Sequence, residues 1–143
     1  MLTTKVRDLV EPRKLVMATP EVSVAKAAVM MMESKVGAVL VVEEGRLVGI
    51  FTERDAVYRV MAPGLDPDKT LLGEVMTREP KTVEPNQPFG YALLLMHENG
   101  FRHAPIVADG RPVGVVSARH ALDPELEEFT VEAERRESFR RAA

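Results

Sequence analysis

Residues 49–55, Gly-Ile-Phe-Thr-Glu-Arg-Asp, contain an apolar run that stops on a threonine, with a carboxylate three residues later. The run that ends at Phe51 predicts a strand entering a core, and apolar residues return at helical spacing after Asp55. Thr52 therefore lies at a strand-to-helix junction. Its hydroxyl can cap the first helical turn while Asp55 reaches back, as in a capping box with Asp in the usual Glu position.

The same two side chains allow a second interpretation. A hydroxyl and a carboxylate fixed at a helix start could receive a vicinal diol, because the carboxylate can accept both hydroxyl protons. Capping is the commoner role of such residues at helix starts. On the residues alone, both roles stay open for Thr52 and Asp55.

Composition limits the classes of protein to which the chain can belong. Its 143 residues fit one ordinary domain or two very small ones, and a hydrophobic content of 45% is enough for a packed core. The absence of cysteine excludes disulfides and thiol catalysis. A net charge of -3, with two Tyr, five Phe and no Trp, argues against a nucleic-acid surface.

Hydropathy predicts no membrane segment. The longest apolar run, residues 36–42, is far shorter than the roughly 20 residues that span a bilayer. The first 12 residues contain no apolar signal region. We therefore expect a soluble, cytoplasmic protein.

A shift of 65 positions reveals an internal repeat. It carries residues 45–52 onto residues 110–117, with glycine retained at two positions and a hydroxyl side chain at the last. Before the first strand the shift is 66, so that residues 6–10 match residues 72–76. The chain is therefore a tandem repeat, with one residue fewer before the first strand of the second copy.

Each copy predicts the order strand, helix, strand, strand, helix. In the first copy the pattern predicts a short strand at residues 15–18, a helix capped by Ser23 and a hairpin over residues 38–51. A second helix should begin at Thr52 and end near Met61, where prolines and a glycine start a linker.

We expect an α/β (α+β) fold in which two β-α-β-β-α copies pack sheet to sheet about a pseudo-twofold axis. A copy of about 60 residues buries too little surface to be stable alone. The predicted divisions are residues 1–66, residues 67–123 and a C-terminal helical tail at residues 124–143. A polar cleft between the two related sheets follows from this geometry.

Motifs in both copies of the repeat resemble those of a known protein family. Residues 49–55 close the first copy, and in the second copy residues 102–107, Arg-His-Ala-Pro-Ile-Val, precede the loop at residues 108–110. With these motifs the chain resembles a tandem pair of CBS domains, the module named after cystathionine beta-synthase, over about residues 4–122. The resemblance implies a stand-alone CBS pair, or Bateman module, without an enzyme or channel domain.

That family binds adenosine compounds (AMP, ADP, ATP and sometimes S-adenosylmethionine) in clefts between the two copies. The resemblance implies that Thr52 and Asp55 hold the ribose hydroxyls. It places the base beside Pro105 and against the first strand of the other copy, which is expected at Pro80, Lys81 and Thr82.

The resemblance also assigns a phosphate-binding role. Phosphates would meet Arg102 and His103, and Arg119 would approach them as well. The charge distribution agrees with this assignment, because a few local cations can hold an anion that the acidic chain as a whole would repel.

The second cleft departs from the pattern of the family. Ser117 keeps the hydroxyl, but His120 stands where the family has Asp, and Gly37 and Ala38 stand at the positions of the phosphate-binding pair. A histidine mostly donates where a carboxylate accepts, so a ribose would be poorly held. We predict one competent nucleotide site per chain, built on the motif of the first copy. The residues of the degenerate cleft are Met17, Ala38, Ser117 and His120.

The comparison of the two copies also bears on Asp55. The second copy keeps the hydroxyl cap at Ser117 yet drops the acid, so a folded copy would not need the Asp for its cap. By this inference Asp55 is the most ligand-specific residue in the chain.

Two functions remain open at this stage. The first is a regulatory module that senses an adenosine compound, and the alternative is a structural or dimerisation module that contacts a partner protein without nucleotide. We expect no enzyme activity, no catalytic cofactor and no metal, because the three histidines are dispersed and no nucleophile elbow or Gly-rich phosphate loop occurs. The family likeness implies a homodimer and an unidentified protein partner, with no nucleic acid and no membrane.

Overall fold

The computed structural model of the chain describes residues 1–122 and Arg136. The helical tail predicted over residues 124–143 lies outside the described residues, except for Arg136, which is helical. Among the described residues, none of the helices is long and apolar enough to span a membrane.

The first repeat contains the predicted order of strands and helices. Ser23 caps the first helix, since its Oγ accepts the Lys26 N–H at 3.1 Å. The second helix begins as an α-helical turn and continues as a π-helix, a widening that helical spacing alone does not indicate. The elements are β1 (Met17–Ala18), α1 (Val24–Ser34), β2 (Ala38–Glu43), β3 (Arg46–Thr52) and α2 (Glu53–Asp55), with the π-helix over Ala56–Met61.

The second repeat has the matching helix and hairpin, but its counterpart of β1 is reduced to a single parallel bridge between Val83 and Ile106. The buried residues of its long helix occupy the positions that match the buried residues of α1. Its elements are α3 (Leu72–Val75), β4 (Thr77–Arg78), α4 (Phe89–Asn99), β5 (His103–Ala108) and β6 (Arg111–Ser117), followed by a 3-10 turn at Ala118–Ala121.

The prediction of a strand at residues 80–82, Pro-Lys-Thr, is wrong, because these residues form no strand. Glu79 has a left-handed φ of 46°, which interrupts the extended chain after β4, and the proline that follows has no N–H for a ladder. Parallel pairing begins only at Val83, whose N–H donates to Pro105 O at 2.9 Å.

The described part of the chain forms two sheets. The first has the strand order β1-β2-β3-β4, in which β1 is parallel to β2 and the other neighbours are antiparallel. The second consists of the antiparallel strands β5 and β6. Each hairpin has a register shift at the equivalent position, Val41/Val42 in the first and Ile106/Val107 in the second. The strand β4 comes from the second repeat but extends the sheet of the first.

The lead-in segments of the two repeats are exchanged. Val6 is fully buried in the core of the second repeat with Phe89, and its N–H donates to Gln87 O at 2.9 Å. Leu72 is fully buried in the core of the first repeat, and its N–H donates to Val22 O at 2.9 Å. Each core is therefore completed by the lead-in of the other repeat.

Two equivalent glycines let the exchanged segments pass close to the sheets. A Cβ on Gly49 would collide with the side chain of Met76, and a Cβ on Gly114 would lie 3.0 Å from Val10 Cγ2. The two pairs are related by the internal repeat. The retained glycines therefore serve close packing between strand and lead-in.

The two sheets face each other through a separate apolar cluster. Leu40 and Ile50, from β2 and β3, pack with Val115 from β6. Between the two hairpins, the Leu47 N–H donates to Gly110 O at 3.2 Å. These contacts confirm the predicted sheet-to-sheet packing of two repeats.

Leu72→Ala should lower the free energy of unfolding by about 2–5 kcal/mol, because it removes a fully buried side chain from the core of the first repeat. Leu65→Ala, in the linker and 44% exposed, should change it by less than about 0.5 kcal/mol. Urea denaturation of the wild type and both variants gives the comparison. Equally small effects would contradict the exchange of lead-in segments.

Candidate functional site

The junction between β3 and α2 forms the predicted capping box. The Thr52 N–H donates to Asp55 Oδ2 at 3.0 Å, and the Asp55 N–H donates to Thr52 Oγ1 at 3.3 Å. The Thr52 hydroxyl also donates to Asp55 Oδ2, at 3.2 Å. One oxygen of the carboxylate is thus committed to the cap, and the residue is only 8% exposed.

The second oxygen of Asp55 has weaker partners. Its Oδ1 lies 3.5 Å from Arg59 Nε and 3.5 Å from the hydroxyl of Thr77, which belongs to β4 of the second repeat. Both distances exceed the 2.7–3.2 Å of ordinary hydrogen bonds. A ligand hydroxyl could therefore replace them at little cost, whereas the contacts of Oδ2 hold the helix start.

The second repeat makes the same cap with a different side chain. The Ser117 N–H donates to His120 Nδ1 at 2.9 Å, and Ser117 Oγ accepts the Arg119 N–H at 3.1 Å. His120 thus performs the capping role of Asp55. The second copy therefore does not do without a side chain at this position of the cap, and the argument that made Asp55 the most ligand-specific residue on that ground is wrong.

A cleft of about 400 Å³ lies between the two repeats. Its polar lining from the second repeat is mostly cationic or hydrogen-bond donating, whereas the first repeat adds both carboxylates and lysines. The residues that face it include Arg102, His103, Ser117, Arg119 and His120 from the second repeat and Gly37, Ala38 and Glu53 from the first.

Gly37 makes room for the contact between the repeats at this cleft. A Cβ at this position would lie 3.0 Å from His103 Nε2 and 3.4 Å from Glu53 Cδ. The imidazole of the second repeat and the carboxylate of the first therefore approach the same point above β2. From the sequence, Gly37 was noted only because it replaces the cation found at the equivalent position of the second repeat, Arg102. In the structure its lack of a side chain leaves space for His103.

The surroundings of His103 favour its neutral form. Burial lowers the pKa of this imidazole, and the neighbouring Arg119, His120 and Arg102 lower it further, while Glu53 acts in the opposite direction. The ring is half-buried. It therefore enters the cleft as a neutral group that an added negative charge would help to protonate.

Two lysines add to the positive charge of the cleft. Lys14 and Lys35 both line it, together with a second carboxylate, Glu11. A hydrogen bond from Arg13 at 2.7 Å engages Glu11 and holds the pKa of that carboxyl below its ordinary value. Glu53 is therefore the lining carboxylate that can compete for the cations of the cleft.

The structure brings together some of the predicted site residues and separates others. Arg102, His103 and Arg119 share one cleft, as predicted, but they share it with Ala38, Ser117 and His120, which the sequence assigned to a separate, degenerate cleft. Thr52 and Asp55 do not line it, although Glu53, between them in sequence, does.

The residues predicted to hold the base lie elsewhere. Pro105 is fully buried in the core. Met17, which the sequence assigned to the degenerate cleft, is 44% exposed at the start of β1 and does not line the cleft either. Lys81 and Thr82 are exposed, Pro80 is half-buried, and none of the three lines the cleft. Within the described part of the chain, no three His, Asp or Glu side chains come close enough to hold a metal ion.

Sequence reasoning missed Glu53, Lys14 and Lys35 as cleft residues. Glu53 could have been found from the sequence, because it directly follows the capping Thr52. The 65-residue shift matches it to Ala118, which also lines the cleft. The two lysines have no such signal, since their positions depend on how the lead-in and the end of α1 meet the second repeat.

Comparison with known proteins identifies the family. The CBS domain family model matches the chain twice, over residues 6–62 and 72–125. The chain belongs to the CBS domain family. The two matches correspond to the two repeats, so that the predicted tandem CBS pair is confirmed. CBS domain proteins are in general regulatory rather than catalytic modules.

Solved structures of CBS proteins are similar over most of the chain. An uncharacterised conserved protein from Pyrococcus horikoshii gives a TM-score of 0.79 with 32% identity, covering 87% of this chain and 94% of that one. The CBS domain pair of protein MJ0100, in complex with 5′-methylthioadenosine and S-adenosyl-L-methionine, gives a TM-score of 0.74 with 27% identity, covering 82% and 96%.

Some of the curated relatives are much longer than this chain. The chain is 36% identical over 108 residues to the CBS domain-containing protein CBSCBSPB1 of Arabidopsis thaliana, which covers 75% of the chain but only 20% of that protein. It also spans 59% of the length of an uncharacterised Methanopyrus kandleri protein, with 33% identity.

The pH dependence of stability should report the neutral state of His103. Its pKa is lowered in the folded state, so the unfolded chain binds more protons below the ordinary histidine value of 6.5. The free energy of unfolding should therefore fall as the pH drops through 6.5 towards the lower, folded-state pKa. In His103→Gln that contribution should be absent.

Urea denaturation between about pH 8 and about pH 5 measures this difference. His97→Gln, at an exposed position of α4, serves as the control and should keep the wild-type slope. Parallel curves for wild type and His103→Gln would contradict the assignment.

Proposed function

We propose that this CBS pair is a regulatory module that binds an adenosine compound, AMP, ADP or ATP, in the cleft between its repeats. The observation that carries the proposal is the convergence of Arg102, His103 and Arg119 in a cleft closed by the first repeat. A volume of about 400 Å³ suits a small molecule. The complex of MJ0100 with two adenosine compounds supports the choice of ligand class.

The charge of the cleft supports a ligand with phosphates. Among the described residues, four permanent cations line it, and of the two carboxylates found there Glu11 is already paired with Arg13. A chain with a net charge of -3 thus presents a local excess of positive charge between its repeats. Arginine forks match phosphate oxygens in geometry, so Arg102 and Arg119 are the proposed main phosphate contacts.

We propose that the ribose extends beyond the residues that line the cleft to Thr52 and Asp55, which flank the lining residue Glu53 in sequence. Within residues 1–122, the Oδ1 of Asp55 has only two long contacts, to Arg59 and Thr77, and can accept from a diol while Oδ2 keeps the cap. Glu53 connects this position with the cleft through the first turn of α2. Capping and ribose binding are therefore compatible roles for one carboxylate.

Binding between the repeats offers a route to regulation. A ligand that contacts Arg102 of the second repeat and Asp55 of the first favours one relative placement of the two. Such a shift requires a difference in binding free energy between two conformations. A partner protein that contacts both repeats would respond to that shift.

Thermal unfolding with added nucleotide tests the proposal. At a ligand concentration of about 100 times the dissociation constant, ADP or ATP should stabilise the wild type by about 2.7 kcal/mol. Asp55→Asn should bind at least about tenfold more weakly, because the amide can still accept the Thr52 N–H but loses the charge that attracts hydroxyl protons.

Glu98→Gln, an exposed change of equal charge on α4, serves as the control and should respond like the wild type. If no adenosine compound changes the melting temperature of the wild type, the proposal fails and the structural module is the better description.

A homodimer is proposed from exposed apolar residues on two helices. Val29 and Met32 on α1 are 46% and 69% exposed, and Val57, Tyr58 and Met61 on the π-helix are 46%, 64% and 73% exposed. Apolar faces of this kind are typical of protein interfaces. This surface also favours the alternative function, in which dimerisation or partner contact is the main role.

Light scattering after size-exclusion chromatography at about 10 μM should return the mass of a dimer for the wild type. The variant Met61→Glu should return the mass of a monomer, because the glutamate places a charge in the apolar contact. Glu98→Gln should remain dimeric. A wild-type monomer would contradict the proposal, as would a hexamer of the kind named for a cyanobacterial CBS-CP12 protein.

A further inference from the structure

Arg59, on the π-helix of the first repeat, contacts both repeats beside Asp55. Its Nη1 donates to Met76 O at 3.1 Å and to Val75 O at 3.4 Å, at the end of α3 in the second repeat. Its Nε lies 3.5 Å from Asp55 Oδ1 in the first repeat. One guanidinium group therefore joins a carboxylate of the first repeat to the backbone of the second.

The carbonyls that Arg59 contacts belong to the exchanged lead-in of the second repeat. The last carbonyls of a helix have no partner within that helix, so the guanidinium group supplies donors that α3 lacks. The same segment buries Leu72 in the core of the first repeat, and Met76 packs directly against Gly49. Arg59 thus adds a polar contact to the apolar attachment of the lead-in.

Asp55 holds the Arg59 side chain in the conformation that reaches the lead-in. The Arg59 side chain is 49% exposed, and an arginine at such a position has considerable rotamer freedom. The Asp55 side chain is 11% exposed and is fixed by the cap through Oδ2. A distance of 3.5 Å is long for a hydrogen bond, but the attraction between two full charges persists at that distance. The fixed carboxylate therefore orients the more exposed guanidinium group.

The oxygen that orients Arg59 is the one proposed to receive a ligand. A diol that donates its protons to Asp55 Oδ1 has to displace Arg59 Nε and the Thr77 hydroxyl, which both lie 3.5 Å away. The guanidinium group then loses the carboxylate and with it the constraint on its rotamer. Its contact with Met76 O should weaken as a consequence.

We infer that Arg59 transmits the occupancy of Asp55 to the second repeat, because a hydroxyl ligand on Oδ1 loosens the hold of Arg59 on the end of α3. The inference rests on the proposed function and adds to it the route by which binding alters the attachment of one repeat to the other. The 65-residue shift matches Arg59 to Pro124, which has no side-chain donor. The matched residue of the second repeat therefore cannot make the same contact.

Hydrogen exchange of the Met76 amide, followed by NMR, tests this coupling without a ligand. The Met76 N–H donates to Leu72 O at 2.8 Å, so its exchange reports local opening of the lead-in. Asp55→Asn and Arg59→Gln should each speed this exchange at least about threefold, and the double variant should show no further increase. Arg54→Gln, which removes an equal charge from an exposed position of α2, should keep the wild-type rate.

Saturating ADP separates the coupling from a merely structural role of Arg59. In the wild type the Met76 amide should exchange at least about threefold faster with ADP, although the protein as a whole becomes more stable. In Arg59→Gln, ADP should still bind and leave this rate unchanged. Arg59→Lys keeps the charge but not the planar fork, so its Met76 amide should respond as in Arg59→Gln.

The outcomes distinguish the coupling from the proposed function. Additive effects of Asp55→Asn and Arg59→Gln, or a wild-type rate in either variant, would overturn the inference. ADP that binds the wild type without speeding the exchange of the Met76 amide would also overturn it, while the proposed function would stand. If ADP does not bind at all, the proposed function fails and the transmission fails with it, whereas non-additive effects of the two variants would still establish the contact of Arg59 with both repeats.

Discussion

The crosswise exchange of lead-in segments is the constraint on which the rest of the structure depends. Val6 and Leu72 are each fully buried in the core of the opposite repeat, and burial of such a side chain is worth about 1.5–3 kcal/mol. Gly49 and Gly114 allow the exchanged segments to approach the sheets. Because each repeat completes the core of the other, their relative position is fixed, and a cleft with residues from both can be preformed.

The capping boxes show how one residue can combine a structural and a functional role. In the first repeat a carboxylate commits one oxygen to the helix start and keeps the other for weak contacts at 3.5 Å. In the second repeat the imidazole of His120 makes the same cap, and this residue also lines the cleft. The repeats are therefore similar in backbone and different in the side chain that makes the cap, a carboxylate in the first and an imidazole in the second.

Features that depend on local sequence were predictable. The 65-residue shift predicted that the two hairpins correspond, and Ser23 predicted the start of α1. The spacing of Thr52 and Asp55 predicted the capping box. Features that depend on contacts between distant segments were not. The exchange of lead-ins, the break after β4 caused by the left-handed Glu79 and the space that Gly37 leaves for His103 arise from tertiary packing. The sequence comparison considered only whether position 120 holds an acidic residue. It therefore missed that a histidine there can make the same cap through Nδ1.

The most direct test of the account is the protonation of the three histidines during titration with ADP, followed through the ring nitrogen resonances by NMR. His103 and His120 line the cleft, whereas His97 is exposed on α4 and serves as an internal control. A bound phosphate favours the charged imidazole, so the His103 resonances should move towards the protonated form and those of His120 should also change. Ring resonances of His103 and His120 that stay unchanged at saturating ADP would contradict the account.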